Sequence, residues 1–379
     1  MDMNDLSLRA REAKESLLSR SAGKLAEDVI DLSVGDPCYE TPEPVNEAAI
    51  KAIREGFTHY TPSCGTEELR RLAAQDFCQT GVSATKENTV VSHGAKPLLA
   101  AAVWALCNER DSFWVPSPFY PPFPALVKTY GGTVRTVGTR HNRFALDCEE
   151  LLAFLERDRN RRHRVIINSP NNPTGMVWDL TALTKAREDV VFIADESYRE
   201  ICYRPPIASL AALPGMARRT VTIRSCSKTY AMTGWRIGYL TGPQVIVDKI
   251  RVFLDMAGGC PCSISQKAAV AAFQTDFVYT GRMMTDLSEK RDVLEKWLSN
   301  KRIIHPYPDG AFYFFVDLSR WGGSEDISRT LLQEARVRVV PGSVFGSEGD
   351  WEGWARISYA SVSLQQLEEA LSRMDKVLF

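Results

Sequence analysis

Short apolar runs alternate with amphipathic stretches through the middle of the 379-residue chain. The runs are mostly β-branched or aromatic and predict strands, at 89–91, 113–115, 133–137, 165–167, 190–194 and 221–223. Most are separated by stretches with helical spacing, at 96–107, 125–130, 147–157 and 182–187. Strands alternating with helices predict an α/β fold whose mainly parallel sheet is sandwiched by helices.

The two ends of the chain follow a less regular pattern. Predicted strands at 312–316, 337–340 and 356–359 are mixed with helices at 327–334 and 364–377, which is typical of a small α+β domain. The first 40 or so residues are helical at first and then apolar at 29–34. We therefore predict an N-terminal segment (1–45) that packs with the small domain, a large domain (46–270) that contains the mainly parallel sheet, and a small C-terminal domain (271–379).

Composition excludes several classes of protein. The 46 Lys and Arg nearly balance 47 Asp and Glu, which argues against a nucleic-acid partner. The longest apolar passage, 97–107, is about half the ~20 residues that span a bilayer. The chain lacks a secretory start, and its nine cysteines do not resemble a disulfide framework. We expect a cytoplasmic protein without a membrane partner, and with only five histidines we expect no metal site.

The segment 225–239 carries the most chemical information. Lys228 comes just after a predicted strand, among small hydroxyl residues, and open α/β sheets bind ligands beyond the carboxyl ends of their strands. A lysine placed there can form a Schiff base with an aldehyde cofactor if its pKa is lowered. Arg236 offers a fixed fork for a phosphate. On these residues alone, an ordinary solvated lysine is an equal alternative.

This segment resembles the lysine signature of the class I/II aminotransferases, which are fold-type I enzymes that use pyridoxal 5′-phosphate (PLP). Other motifs similar to those of the family occur in the family's order, at 60–62, 94–96, 169–175, 195–198, 310–313, 341–343 and 356–360. The resemblance covers essentially the whole chain. A lysine at the position of Lys96 is similar to the aspartate/prephenate aminotransferase subgroup.

The resemblance implies a role for each matching residue. Lys228 would be the catalytic residue. The cofactor would be bound by ten residues: Tyr60, Ala95, Lys96, Tyr120, Asn172, Asp195, Tyr198, Ser225, Ser227 and Arg236. The substrate carboxylate would contact Gly35, Asn172 and Arg356. The resemblance also implies a homodimer in which Tyr60 reaches the neighbouring active site.

The implied reaction is ping-pong transfer of the α-amino group of an L-amino acid to a 2-oxo acid, through a Schiff base on Lys228. Lys96 favours a dicarboxylic substrate, because it could meet a distal carboxylate. The entrance segment Asp36-Pro37-Cys38-Tyr39-Glu40 departs from the family pattern, and its acidic groups would suit a cationic side chain. Side-chain preference, the amino acceptor and the pathway therefore stay open.

Other functions remain as alternatives. The same scaffold can carry out elimination, cyclisation or deamination, for example of a modified, arginine-like amino acid in specialised metabolism, and fold-level resemblance does not choose between these reactions. A transcription regulator would need an added DNA-binding unit, and we find none before the aminotransferase-like region. A dinucleotide dehydrogenase would need Gly-x-Gly-x-x-Gly after a first strand, and no such motif occurs. A catalytically silent relative is disfavoured because Lys228, Asp195, Arg236 and Arg356 are all present.

Overall fold

The computed structural model describes Ser7 and residues 25–205, 207–275 and 278–379. Within those ranges no helix combines the length and the apolar character that crossing a bilayer requires. All nine cysteines lie in the described part of the chain and are free thiols. The predicted helix at the start of the chain lies outside the described residues.

In the described ranges, twelve strands form three sheets and are numbered in chain order. They are β1 Ile30–Asp31, β2 Thr89–Ser92, β3 Ser112–Ser117, β4 Thr133–Gly138, β5 His163–Asn168, β6 Val191–Asp195, β7 Thr220–Ser225, β8 Gly238–Thr241, β9 Tyr313–Asp317, β10 Val337–Arg338, β11 Val340–Pro341 and β12 Trp354–Ser358.

The α-helices of the described ranges are numbered in the same way. They are α1 Glu43–Arg54, α2 Glu67–Gln79, α3 Ala95–Leu106, α4 Pro122–Thr129, α5 Cys148–Arg157, α6 Cys226–Thr229, α7 Gln244–Gly258, α8 Ser263–Gln274, α9 Val278–Asn300, α10 Ser324–Thr330 and α11 Leu364–Leu378.

The central sheet has seven strands in the order β2-β8-β7-β6-β5-β3-β4. All neighbouring strands are parallel except β8, which runs antiparallel to both β2 and β7. Strands β3, β5 and β7 are buried along their whole length, and helices cover both faces of the sheet. This burial explains why the strands read as continuous apolar runs rather than as alternating patterns. The predicted sandwiched, mainly parallel sheet is confirmed.

The end of the chain forms a smaller unit. Strands β11, β12 and β9 make an antiparallel sheet, and β1 pairs with β10 in parallel. Side chains from β1, α9, β9, β12 and α11 share one apolar core. Strand β1 of the N-terminal segment thus lies beside β10, and the packing of the whole segment 1–45 on the small domain stays a prediction. The predicted boundaries after 45 and 270 stay a prediction.

Candidate active site

The carboxyl ends of three neighbouring parallel strands place polar residues at one edge of the central sheet. Strand β5 ends at Asn168, β6 at Asp195 and β7 at Ser225. Lys228 lies on α6, a single helical turn that begins directly after β7. Ser225 caps this turn, because its Oγ accepts a hydrogen bond from the Ser227 backbone N–H at 3.1 Å. The strand order therefore fixes where the lysine lies relative to Asp195.

These residues surround a pocket of about 810 Å³, including its open mouth, which suits a small cofactor together with a substrate. The lining combines groups predicted from sequence with three further residues, Leu99, Asn168 and Ser197. The predicted lining residues are Ala95, Lys96, Tyr120, Asn172, Asp195, Tyr198, Ser225, Ser227, Lys228 and Arg236. The structure thus brings nine of the ten predicted cofactor residues together with Lys228.

Lys228 is half-buried, and its Nζ donates a hydrogen bond to the backbone carbonyl of Gly35. Burial lowers the pKa of the Lys228 amine to about 8. The Asp36 charge opposes that shift, and the Arg236 and Arg356 charges add to it. A larger fraction of this amine is therefore neutral at physiological pH than for an exposed lysine, so it is able to act as a nucleophile or base.

Asp195 is a buried carboxyl with one satisfied oxygen. Its Oδ1 accepts hydrogen bonds from the Ser197 backbone N–H at 3.0 Å and from the Ser197 hydroxyl at 2.6 Å. Among the described residues, Oδ2 has no hydrogen-bond donor and no cation pairs with the carboxylate. Burial raises the pKa of Asp195, while the bonds from Ser197 oppose the shift. A cationic N–H in the pocket would supply the missing partner.

Two glycines allow the Arg236 guanidinium and the N-terminus of α3 to approach each other closely at the pocket. A Cβ on Gly94 would lie 2.4 Å from Nη2 of Arg236, and a Cβ on Gly238 would lie 2.5 Å from the backbone N of Ala95. Arg236 is held by bonds from its guanidinium to the carbonyls of Thr233 (2.8 Å) and His93 (3.2 Å). Because α3 begins at Ala95, its free N–H groups and this guanidinium can bind one anion.

Arg356 is buried on β12 and is linked to the asparagine loop, residues 169–175, which carries Asn172. Its Nη1 donates to Oδ1 of Asn172 at 2.9 Å, and its Nη2 donates to the carbonyl of Ser33 at 2.6 Å. The Nε atom is buried and has no hydrogen-bond partner among the described residues. A carboxylate beside this guanidinium would satisfy it. Gly35 lies nearby, since it accepts from Lys228 and follows Ser33 by two residues.

The remaining predicted residues differ in their placement. Tyr198 is buried, and Tyr120 packs edge-on against Phe123 with ring centroids 5.5 Å apart. Tyr60 is 98% exposed and does not line the pocket of its own chain. Its role in a neighbouring active site stays a prediction.

Sequence reasoning missed two residues that organise the site. Asn168 holds the asparagine loop, because its Oδ1 accepts from the Asn172 backbone N–H at 2.8 Å and its Nδ2 donates to the Asp195 carbonyl at 3.1 Å. Its position after an apolar run was the available signal. Tyr313 lies at the start of β9, with its hydroxyl 3.0 Å from that of Tyr198. Nothing local in the sequence indicates that contact, because the residues are 115 positions apart.

Comparison with known proteins agrees with this geometry. Residues 27–374 match the family model for aminotransferases of class I and II. A bifunctional aspartate aminotransferase and glutamate/aspartate-prephenate aminotransferase from Petunia hybrida is 37% identical over 374 residues, covering 92% of this chain and 76% of that protein. Aromatic-amino-acid aminotransferase 2 of Thermococcus litoralis is 34% identical, with coverage of 93% and 92%.

Solved structures show the same fold. The aspartate aminotransferase of Thermus thermophilus with maleate superposes with a TM-score of 0.91 at 31% identity, covering 98% of this chain and 99% of that one. The fold and the resemblance predicted from sequence are therefore confirmed. With its pocket lysine, a buried carboxyl whose Oδ2 has no donor among the described residues, and a family match along nearly its whole length, the chain belongs to the class I and II aminotransferases, enzymes that use PLP.

Proposed function

We propose that the chain transfers the α-amino group of an L-amino acid to a 2-oxo acid, with Lys228 as the catalytic residue. The observation that carries the proposal is the position of a lysine with a lowered pKa in one pocket with Asp195 and close to Arg356. These three groups could serve the aldehyde, the ring nitrogen and the substrate carboxylate of one PLP–substrate assembly.

The residues present fit PLP. Asp195 would hold the protonated pyridine nitrogen with its unpartnered Oδ2. The phosphate would lie against the N–H groups at Ala95 and Lys96, the Ser225 and Ser227 hydroxyls, and Arg236. Tyr120 would stack on the ring, and Asn172 and Tyr198 would donate to the phenolic oxygen. Bound PLP withdraws electrons from the α-carbon of the amino acid.

The chain's own groups would then move one proton. Arg356 and the Asn172 amide would bind the α-carboxylate and so fix which bond at the α-carbon faces Lys228. The neutral Nζ of Lys228 would accept the α-proton and then donate it to the C4′ carbon of the cofactor. The carbonyl of Gly35 would orient this amine, since it already accepts a hydrogen bond from Nζ.

We propose a dicarboxylic substrate, in line with the first of the two preferences derived from sequence. Lys96 lines the pocket with its side chain exposed, so its charge is available to a distal carboxylate. Asp36 does not line the pocket, and its Oδ1 already accepts from the Thr233 hydroxyl at 2.7 Å. Several relatives, including the Petunia hybrida protein, are named as aspartate aminotransferases.

A single-turnover comparison tests the proposed reaction. The PLP-loaded protein is incubated with aspartate, glutamate or arginine, with and without 2-oxoglutarate, and keto-acid formation is counted per active site. We expect one turnover without the acceptor and sustained turnover with it, fastest for a dicarboxylic amino acid. Sustained product release without any acceptor would instead support elimination, cyclisation or deamination.

A further inference from the structure

Two buried tyrosines meet beside the pocket. The hydroxyls of Tyr198 and Tyr313 are 3.0 Å apart, and the rings pack edge to face with centroids 5.7 Å apart. Tyr198 lines the pocket, whereas Tyr313 lies behind it and is 1% exposed. Burial raises the pKa of both phenols, so each keeps its proton at neutral pH. The direction of the hydrogen bond between them decides where the Tyr198 proton points.

The neighbouring amide has a defined orientation. Arg356 has only donors, and its Nη1 lies 2.9 Å from Oδ1 of Asn172. The oxygen of this amide must therefore face the arginine, and the Nδ2 group must face Tyr198, whose hydroxyl oxygen is 3.4 Å away. The Tyr198 oxygen thus already accepts one hydrogen bond.

In the described part of the chain, the Tyr198 hydroxyl oxygen is the one acceptor available to the hydroxyl proton of Tyr313. The ring packs beneath the Arg356 guanidinium, with Cζ 4.4 Å from the ring centroid, and that cation offers no acceptor. Gly35 packs so closely that a Cβ there would lie 2.1 Å from the Tyr313 oxygen. If Tyr313 did not donate to Tyr198, its buried O–H would have no partner, which is costly. Tyr198, in contrast, can direct its own proton into the pocket.

We propose that Tyr313 is a positioning residue, which donates its hydroxyl proton to Tyr198 so that the Tyr198 proton is aimed at an acceptor in the pocket. The proposal rests on the proposed function, in which that acceptor is the phenolic oxygen of PLP. Accepting a hydrogen bond also makes Tyr198 a stronger donor, because linked hydrogen bonds polarise one another.

The visible absorbance of the PLP-loaded protein provides the readout. The phenolic oxygen carries most negative charge when the nitrogen joining PLP to Lys228 has lost its proton, so a good donor favours that deprotonated form. In Tyr313→Phe, Tyr198 is a weaker donor, and its proton is less well directed toward the phenolic oxygen. We expect the pH midpoint of the visible band to rise by roughly 0.5 unit, the size of a modest change in one hydrogen bond.

The chain offers a matched control. Tyr359, which is buried, and Tyr203, which is half-buried, form a second hydroxyl pair, 2.9 Å apart, and neither residue lines the pocket. Tyr359→Phe removes the same oxygen from a buried tyrosine of such a pair and should leave the midpoint unchanged. A double variant, Tyr198→Phe with Tyr313→Phe, should titrate like Tyr198→Phe alone, because Tyr313 acts through Tyr198.

The possible results separate a failure of this proposal from a failure of the proposed function. An unchanged or lower pH midpoint of the visible band in Tyr313→Phe would overturn the proposal. An equal rise of the midpoint in Tyr359→Phe would overturn it too. A midpoint of the double variant that differs from that of Tyr198→Phe would overturn it as well, and this comparison does not require Tyr313→Phe alone to be titrated. If the unaltered protein forms no visible band with PLP, the proposed function itself fails, and that result is distinct from an unmoved midpoint.

Discussion

At the scale of single residues, the chemistry depends on charges that are few and locally arranged. The chain has a formal net charge of −1, yet Lys228 experiences two guanidinium groups and one carboxylate as well as its own burial. Burial disfavours the ammonium form of Lys228, and Arg236 and Arg356 disfavour it further. The environment of the amine therefore matches what a Schiff-base lysine needs.

This environment predicts how cofactor uptake depends on pH. Only the neutral amine of Lys228 attacks an aldehyde, so the rate of PLP uptake by the cofactor-free protein should rise with pH and level off above about 8. Asp36→Asn should move the midpoint downward, because the Asp36 charge raises the lysine pKa. Stopped-flow absorbance over a pH series measures the midpoint for the unaltered protein and for Asp36→Asn. A midpoint near that of an ordinary lysine, about 10.4, would contradict the prediction.

At the scale of elements, a buried ion network joins the site to the rest of the sheet. Arg224 on β7 pairs with Glu196, which follows Asp195, through Nη2 at 2.9 Å, and with Asp76 on α2 through Nη1 at 2.8 Å. The arginine side chain is 3% exposed. The network therefore holds the end of β6, and with it Asp195, against α2.

Removing one member of this network should cost stability. In Glu196→Gln the buried Arg224 loses a charged partner, and we expect the free energy of unfolding in urea to fall by about 3 kcal/mol. Glu188→Gln is the matched control, since its ion pair with Arg218 is exposed at the surface. That change should cost less than about 1 kcal/mol. Equal losses in the two variants would show that the buried network has no special role.

The elements also show which parts of the fold a sequence can predict. The parallel strands were predicted because burial on both faces produces unbroken apolar runs, as at 190–194. Strand β8 was missed, because its four residues begin with Gly238 and overlap the end of the lysine segment 225–239. The predicted strand 337–340 is really β10 and β11, which belong to different sheets, and only distant pairing partners decide that division.

The same distinction applies to the site. Lys228, Asp195 and Asn172 were recognised because each belongs to a local motif. Asn168 and Tyr313 were not assigned roles, although Tyr313 ends the motif at 310–313, because their contacts to the Asn172 loop and to Tyr198 arise only from packing. The predicted pocket position of Tyr60 would require a second chain, which neither a local motif nor the packing of a single chain supplies.

At the scale of the whole molecule, we propose a homodimer that completes each site with Tyr60 of the other subunit. Tyr60 is 98% exposed. It nevertheless belongs to the motif 60–62, which is similar to a family motif whose tyrosine binds the cofactor. Helix α7 presents a stripe of exposed apolar side chains at helical spacing, with Val245 71%, Val252 49% and Met256 67% exposed. A stripe of this kind favours contact with another protein surface.

Subunit complementation tests the shared site. Tyr60→Phe and Lys228→Ala, each weakly active or inactive alone, are co-expressed and purified together, and the dimer is verified by light scattering. A mixed dimer has one site with both native residues if Tyr60 acts across the interface, so activity should exceed the sum of the separate variants. No recovery in verified mixed dimers, or a purely monomeric protein, would contradict the shared site.

The most direct test of the central claim is the covalent attachment of PLP to Lys228. The protein is loaded with PLP, treated with borohydride, digested and analysed by mass spectrometry, with Lys96→Ala and Lys228→Ala treated in parallel. We predict a visible band that borohydride abolishes and a phosphopyridoxyl group on the peptide containing Lys228, retained in Lys96→Ala and absent in Lys228→Ala. Absence of a visible band, or stable attachment to another lysine with Lys228 unmodified, would contradict the assignment of Lys228 as the catalytic residue.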